Sequence, residues 1–208
     1  MKIEEKSTNS DIEPSPEGSS PDLYSYAPFS GSVETSKSIR FPQQIVTDEG
    51  IEISIRPVRP DDVALLKSLF ESLSPESIYF RFFAPIKDFP DHMLESFARI
   101  NEDCEIALTA LDRSGKMLGI CCIAIMEDGI RGEFAVLIGD PWHGKGIGAE
   151  LLKHCLSLAK DRRVEVVWGR VLPGNTKMLA LGRKLGFTLK QVPDDNEYEL
   201  LIDLRKKN

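Results

Sequence analysis

The chain has 208 residues and a formal net charge of −7, with a pI near 5.1, which is enough for one domain with a sizeable core plus an appendage. That acidic balance excludes a general nucleic-acid binder, because such proteins neutralise phosphates with clustered Lys and Arg. No apolar run is long enough to cross a bilayer and the first residues have no signal- or transit-peptide pattern, so a cytoplasmic protein without membrane attachment is expected.

Residues 1–50 are rich in Ser, Pro, Glu and Asp and show no sustained hydrophobic period. Such a segment buries too little apolar surface to offset its ordering entropy, and an N-terminal disordered extension is expected, with residues 23–29 more aromatic than their surroundings. The domain is expected over residues 51–208. Its first strand is residues 51–56, where Ile51, Ile53 and Ile55 alternate onto one face. Asp61 or Asp62 then caps a helix running to Leu73, and Ser74-Pro75 opens a second, short helix toward Phe83. Residues 92–99 fit a third.

Beyond Asp103 the period changes to that of strands. Residues 105–111 and 116–126 flank the turn Asp112-Arg-Ser-Gly115 as an antiparallel hairpin, and residues 132–139 follow as a central strand. Residues 147–160 carry a helical stripe through Ile147, Leu151, Leu152, Cys155, Leu158 and Ala159. A strand at 164–171, a helix from Asn175 or Thr176 to Leu185 closed by Gly186, and strands at 187–192 and 197–204 complete the chain. The expected fold is α/β (α+β): a mixed sheet of about six or seven mostly antiparallel strands flanked by helices.

The four cysteines, Cys104, Cys121, Cys122 and Cys155, sit in or beside apolar segments with no CxxC pair, and read as buried thiols of a reducing compartment. Cys121 and Cys122, adjacent on one strand, face opposite ways. Only His92, His143 and His154 are present, too few for a histidine-rich metal site; no metal is expected.

The chemistry concentrates where the strand at 132–139 runs into the helix at 147. In His143-Gly-Lys-Gly-Ile-Gly148, Gly144, Gly146 and Gly148 let backbone approach a ligand closely. Amides at a helix start bind anionic oxygens, and Lys145 adds positive charge. A Rossmann fingerprint needs GxGxxG after an early strand of a parallel sheet, and a P-loop needs Gly-Lys followed by Ser or Thr; neither pattern occurs.

This loop, following Phe134-Ala-Val-Leu-Ile-Gly-Asp-Pro-Trp142, resembles the coenzyme A pyrophosphate motif of the GNAT N-acetyltransferase superfamily. It matches at Gly146 and Gly148 and has His143 where the family has Gln or Arg. Asn175 through Leu185-Gly186-Phe187 is similar to the family's next motif. Three further segments resemble the acetyltransferase domain of bacterial Pat-type protein lysine acetyltransferases: Ile55-Arg-Pro-Val-Arg-Pro-Asp-Asp62, Leu73-Ser-Pro-Glu-Ser-Ile-Tyr-Phe-Arg-Phe-Phe83 and Glu133-Phe-Ala-Val136.

The resemblance implies acetyl-CoA as acyl donor and CoA as product. The pyrophosphate would lie on His143, Gly144, Lys145, Gly146, Ile147, Gly148 and Ala149, with a backbone donor among Leu137, Ile138 and Gly139 beside the acetyl carbonyl. The implied acceptor is a protein lysine, with AMP-forming acyl-CoA synthetases among the family's targets, in a monomer or homodimer. Relatives that carry a cyclic-nucleotide domain need more than fifty residues for it, so that control is not carried over.

Glu133 corresponds to the family's acidic residue and is the candidate general base; its alternative is a solvent-facing carboxylate. Tyr79 and Arg81 stand where the family builds its acceptor groove, with packing and salt bridging as their alternatives. Asn175 can serve cofactor binding, helix capping or both. The family's general-acid tyrosine position is Gly182 here, so protonation of the leaving thiolate needs another route. A small-amine or protein N-terminal acetyltransferase, and a non-catalytic CoA-binding module, are the competing readings.

Overall fold

The structure, a computed structural model, describes residues 40–193 and 195–206; the aromatic run at 23–29 lies outside them. Eight strands form one sheet in the order β1-β2-β3-β4-β5-β6-β8-β7. The strands are β1 (Gln43–Val46), β2 (Glu52–Pro57), β3 (Glu105–Leu111), β4 (Met117–Ile125), β5 (Arg131–Ile138), β6 (Val166–Val171), β7 (Thr188–Gln191) and β8 (Tyr198–Asp203). Every neighbouring pair is antiparallel except β5 and β6. The helices are α1 (Val63–Glu71), α2 (Pro75–Phe82), α3 (Asp91–Ala98), α4 (Ile147–Asp161) and α5 (Thr176–Lys184).

Each face of the sheet is covered by its own core. On one face Ile53, Ile55, Leu118, Cys121 and Phe134 pack with Leu151, Leu152 and Cys155 of α4 and Leu179 of α5. On the other, Leu66, Phe70, Ile78, Phe82, Leu94 and Phe97 from α1, α2 and α3 cover Ala107, Ile120 and Leu137. The alternation of β4 sends Cys121 into the first core and leaves Cys122 against the second, as two adjacent strand residues must.

The sheet has one strand more than the sequence pattern indicates, because residues 43–46 pair with β2 at the register Gln43↔Ile55 to Val46↔Glu52. The domain thus begins before Ile51, and the turn at Thr47–Gly50, closed by Thr47 N donating to Ile51 O at 2.9 Å, comes to lie against the glycine-rich loop. The start of α1 also differs in detail. Asp62 precedes the helix but makes no side-chain cap bond to it. Its carboxylate instead takes two bonds from the Arg56 guanidinium, at 2.6 and 2.7 Å, and one from the Arg59 amide at 2.8 Å.

Candidate active site

The single parallel pair creates the cleft. β5 and β6 are in register only at Arg131↔Val166, Gly132↔Val167 and Glu133↔Trp168, although β5 continues to Ile138 beside β4. Past Glu133 the two strands part. Gly139 N donates to Leu118 O at 2.9 Å and Met126 N to Arg131 O at 2.8 Å. This parity means that residues 133, 135 and 137 spend their backbone groups on β4, while Val136 and Ile138 turn theirs toward the gap. Of the three residues expected to offer a donor there, Gly139 therefore has its amide inside the sheet, Leu137 faces β4, and Ile138 faces the gap.

Gly169 lies just past the last paired residue. A Cβ on it would sit 2.8 Å from the Phe134 ring and 3.0 Å from Phe134 O, so only glycine lets the strands stay this close at the point where they diverge.

At the open end of the gap the chain makes a 3-10 turn over Asp140–Trp142 and enters α4 through the glycine-rich loop. Gly146, the residue before α4, has φ +79° and makes no side-chain cap bond. A Cβ there would approach Thr47 Cβ to 3.0 Å. The amides of Gly144, Lys145, Gly146, Ile147 and Gly148 have no acceptor among the described residues, whereas those of Ala149 and Glu150 return to Gly146 O at 3.1 Å. Consecutive unmet donors at the positive end of a helix form a seat for an anion.

The cavity in front of this seat has a volume of about 480 Å³ and is lined by the loop, by Val136, Leu137 and Ile138, by Asn175 to Met178, and by Phe80 and Arg81 of α2. Lys145, Lys177 and Lys184 stand around it. The donors, cations and apolar walls fit a diphosphate carrying a slender chain.

His143 turns inward. Its Nε2 lies 2.8 Å from Ile138 O; because a carbonyl only accepts, Nε2 carries the proton, and Nδ1 accepts from Lys177 Nζ at 2.9 Å. The ring thus ties the end of β5 to a lysine of α5. Asp140 makes a second tie, to α2. Its Oδ2 accepts from Ser74 N at 3.2 Å, and Ser74 Oγ caps α2 through Ser77 N, also at 3.2 Å. Burial pushes the Asp140 carboxyl up, but bonds from the Ser77 and Ser74 hydroxyls and the Ser74 amide hold it below the usual carboxylate range.

Further back along β5, at Glu133 to Ala135, lies a second cavity of about 370 Å³. Its walls are Phe82, Phe83, Phe97, Ile100, Phe134 and Ala135, and its polar groups are Arg81, Ser96, Glu105, Cys122, Glu133, Arg170 and Glu197. Glu133 enters it from β5, at the last residue paired with β6. Arg170, on the wall formed by β6, is held by Asp195 at 3.0 Å and Glu197 at 2.9 Å. Burial pushes the Cys122 thiol up to about 12 against the pull of Arg81. Burial likewise pushes Cys121 well above its ordinary value. Both sulfurs are therefore protonated at neutral pH and are poor nucleophiles.

Most of the expected residues thus border one of two chambers that share β5, with Arg81 common to both. Tyr79 does not: it is 44% exposed and lines neither cavity. Asn175 caps α5, its Oδ1 accepting from Met178 N at 3.1 Å, while also bordering the larger cavity. Gly182 is buried, and a Cβ on it would lie 2.6 Å from Leu200 Cδ1, so a tyrosine has no room there.

The sequence reading missed Lys177 and Lys184. Their spacing of seven, two helical turns, was the available signal that both lie on one face of α5. It also missed Glu49, which borders the cavity from the β1–β2 turn, and Asp48, paired with Lys184 at 2.8 Å. Among the described residues no group of three His, Cys, Asp or Glu side chains is placed to hold a metal ion, and no helix is long and apolar enough to cross a membrane.

The model of the acetyltransferase (GNAT) domain family matches residues 52–188, and the chain belongs to that family: it is a GNAT acetyltransferase. The GNAT domain of S. lividans PAT is similar at 27% identity and a TM-score of 0.73, over 77% of this chain and 96% of that one. Acetyltransferase PA5475 of Pseudomonas aeruginosa is 29% identical over 152 residues, 72% of this chain and 82% of its own length. An L-methionine sulfoximine/L-methionine sulfone acetyltransferase of the same species is 32% identical over 91 residues, 41% of this chain and 53% of its own length.

Proposed function

We propose that the protein is an acetyl-CoA-dependent protein lysine N-acetyltransferase in which the amine attacks the thioester directly. The observation that carries this reading is the pair of chambers that follow one another along β5, one with an anion seat and one with Glu133. Acetyl-CoA supplies the acetyl group as a thioester. The amides of residues 144–148 and Lys145, Lys177 and Lys184 take its diphosphate and phosphate. From Ile138 back to Phe134 the strand covers about 13 Å at roughly 3.3 Å per residue, the reach of an extended pantetheine arm. Its thioester then arrives where β5 and β6 close.

The acceptor enters from the second chamber. A lysine ammonium has an ordinary pKa near 10.4, so a proton must leave before nitrogen can attack; the Glu133 carboxylate receives it. The aromatic walls suit the four-carbon stem of lysine, and Glu105 and Glu133 favour its cationic head. Direct attack is supported by the protonated state of Cys122, the thiol nearest to hand. Likeness to the S. lividans PAT domain supports a protein acceptor, and an AMP-forming acyl-CoA synthetase is the first candidate.

A second reading, acetylation of a small amine, is favoured by the similarity to the methionine sulfoximine acetyltransferase. Against it, Arg170, the guanidinium best placed on the far wall to meet a substrate carboxylate, already carries two acidic partners. Labelled acetyl-CoA offered with acyl-CoA synthetases, peptides, polyamines and amino-acid derivatives separates the two, with intact-mass measurement of the proteins. Label on amino acids alone removes the lysine assignment. Glu133→Gln should lower kcat by about 10²–10⁴-fold while CoA binding measured by calorimetry stays unchanged; unchanged turnover takes Glu133 out of the base role.

A further inference from the structure

The departing thiolate needs a partner, and the position at which the family supplies one is filled. Gly182 faces Leu200, which is fully buried, so no acid reaches the sulfur from α5 at that point. Thiolate expulsion without a proton donor leaves a full negative charge in a low-dielectric cleft, and a fixed cation there lowers the barrier substantially.

We propose that Arg81 is that cation: its guanidinium pairs with the CoA thiolate as the carbon–sulfur bond breaks. This rests on the reading of the larger cavity as the acetyl-CoA site. Arg81 is the residue common to the linings of both chambers, so it stands at the seam where donor and acceptor must meet. Its guanidinium carbon is 5.0 Å from the centre of the Phe82 ring, and Phe82 is a wall of the acceptor chamber. Its charge is also felt at Cys122, which is paired with Ala135 on β5. These markers put the positive charge beside the stretch of β5 just past Glu133, where the thioester ends.

The backbone that carries Arg81 is held in place from the cofactor side. Ser74, the cap of α2, is bonded to Asp140 at the mouth of the pyrophosphate loop, and Phe83 ends the helix in a left-handed conformation at φ 58°. Binding at the loop and placement of the guanidinium are thereby linked through one short helix.

The transfer balances without an external acid. The ammonium loses one proton to Glu133 and its nitrogen forms the C–N bond; as the carbonyl re-forms, the C–S electron pair leaves with sulfur and the second proton, carried by the now cationic nitrogen, passes to solvent. The thiolate pairs with Arg81, which gives up no proton because guanidinium stays charged throughout the working range, and is later protonated by solvent.

The test compares CoA with desulfo-CoA, which lacks only the thiol, in calorimetric titrations from pH 6.5 to 9.5. If Arg81 stabilises the thiolate, wild type should prefer CoA increasingly as the thiol ionises, by about tenfold for each unit by which its pKa is lowered. Arg81→Gln should bind desulfo-CoA as wild type does but lose that pH-dependent preference, and Arg81→Lys should keep part of it. In turnover, Arg81→Gln should lower kcat by about 100-fold with KM for acetyl-CoA changed only a few-fold. An equal pH-dependent preference in wild type and Arg81→Gln, or a loss confined to KM, overturns the assignment. Failure of wild type to bind desulfo-CoA at all overturns the underlying reading of the cavity as well.

Discussion

Gly182 and Leu200 describe one choice made twice: a helix residue without a side chain, and a strand leucine that fills the space. Putting bulk back at position 182 forces the buried leucine off its rotamer, at a cost of about 1–3 kcal/mol for overpacking. Gly182→Tyr should therefore shift the urea midpoint downward and leave kcat no higher than wild type. A rise in kcat would mean that the tyrosine reaches the sulfur after all. The glycine was visible in the sequence as a departure from the family pattern, but its reason was not, because Leu200 lies eighteen positions further along on a strand whose register only the fold defines. Arg81 is a parallel case. Its presence near the acceptor groove could be read from the motif, whereas its place between two chambers depends on how α2 lies over β5.

Among the elements, the join between β2 and α1 rests on one buried ion pair. Arg56 and Asp62 have side chains only 11% and 4% exposed, and the carboxylate is held below the usual range: burial pushes it up, and the bonds from Arg56 and the Arg59 amide outweigh that. Removing the guanidinium strands a buried carboxylate, so Arg56→Ala should cost about 3–5 kcal/mol in urea unfolding at pH 7. A depressed carboxyl pKa stabilises the fold above the unfolded value near 3.9, and that contribution disappears as pH falls through the lower folded value. The deficit of Arg56→Ala should accordingly be flat from pH 5 to 8 and shrink below pH 4; a deficit independent of pH would deny the pair its role.

The motif containing Arg56 and Asp62 was legible as a family signature, and its function proves architectural. β1 was the element that the sequence concealed. Four residues in a Ser- and Pro-rich context show too short an alternation to signal a strand, and pairing with β2 supplies what local propensity lacks. The strands, helices and loop within residues 51–204 were readable because each carries several periods of its own pattern.

At the level of the whole molecule, the two cores leave the cleft between β5 and β6 as the opening through the sheet, and a ligand that fills it should tie both halves together. CoA at a hundred times its Kd should add about 2.7 kcal/mol, a rise in Tm of roughly 5–10 °C for a domain of this size. Gly146→Val should abolish the shift, since the left-handed φ and the 3.0 Å approach to Thr47 both exclude a branched side chain; a preserved shift would relocate the anion seat. The glycines of that seat were legible, whereas its lysines on α5 and the acidic turn beside it were not, because they come from segments far apart in the chain.

The early end of the β5–β6 ladder has a further consequence. A sheet interrupted in mid-course exposes peptide groups that an incoming molecule with amides of its own can satisfy, so a donor bound as proposed would be recognised along its length as though it were a guest strand. Thioesters lacking that peptide-like arm would leave the same groups to water, and chemistry at the far end would then proceed on a loosely held partner.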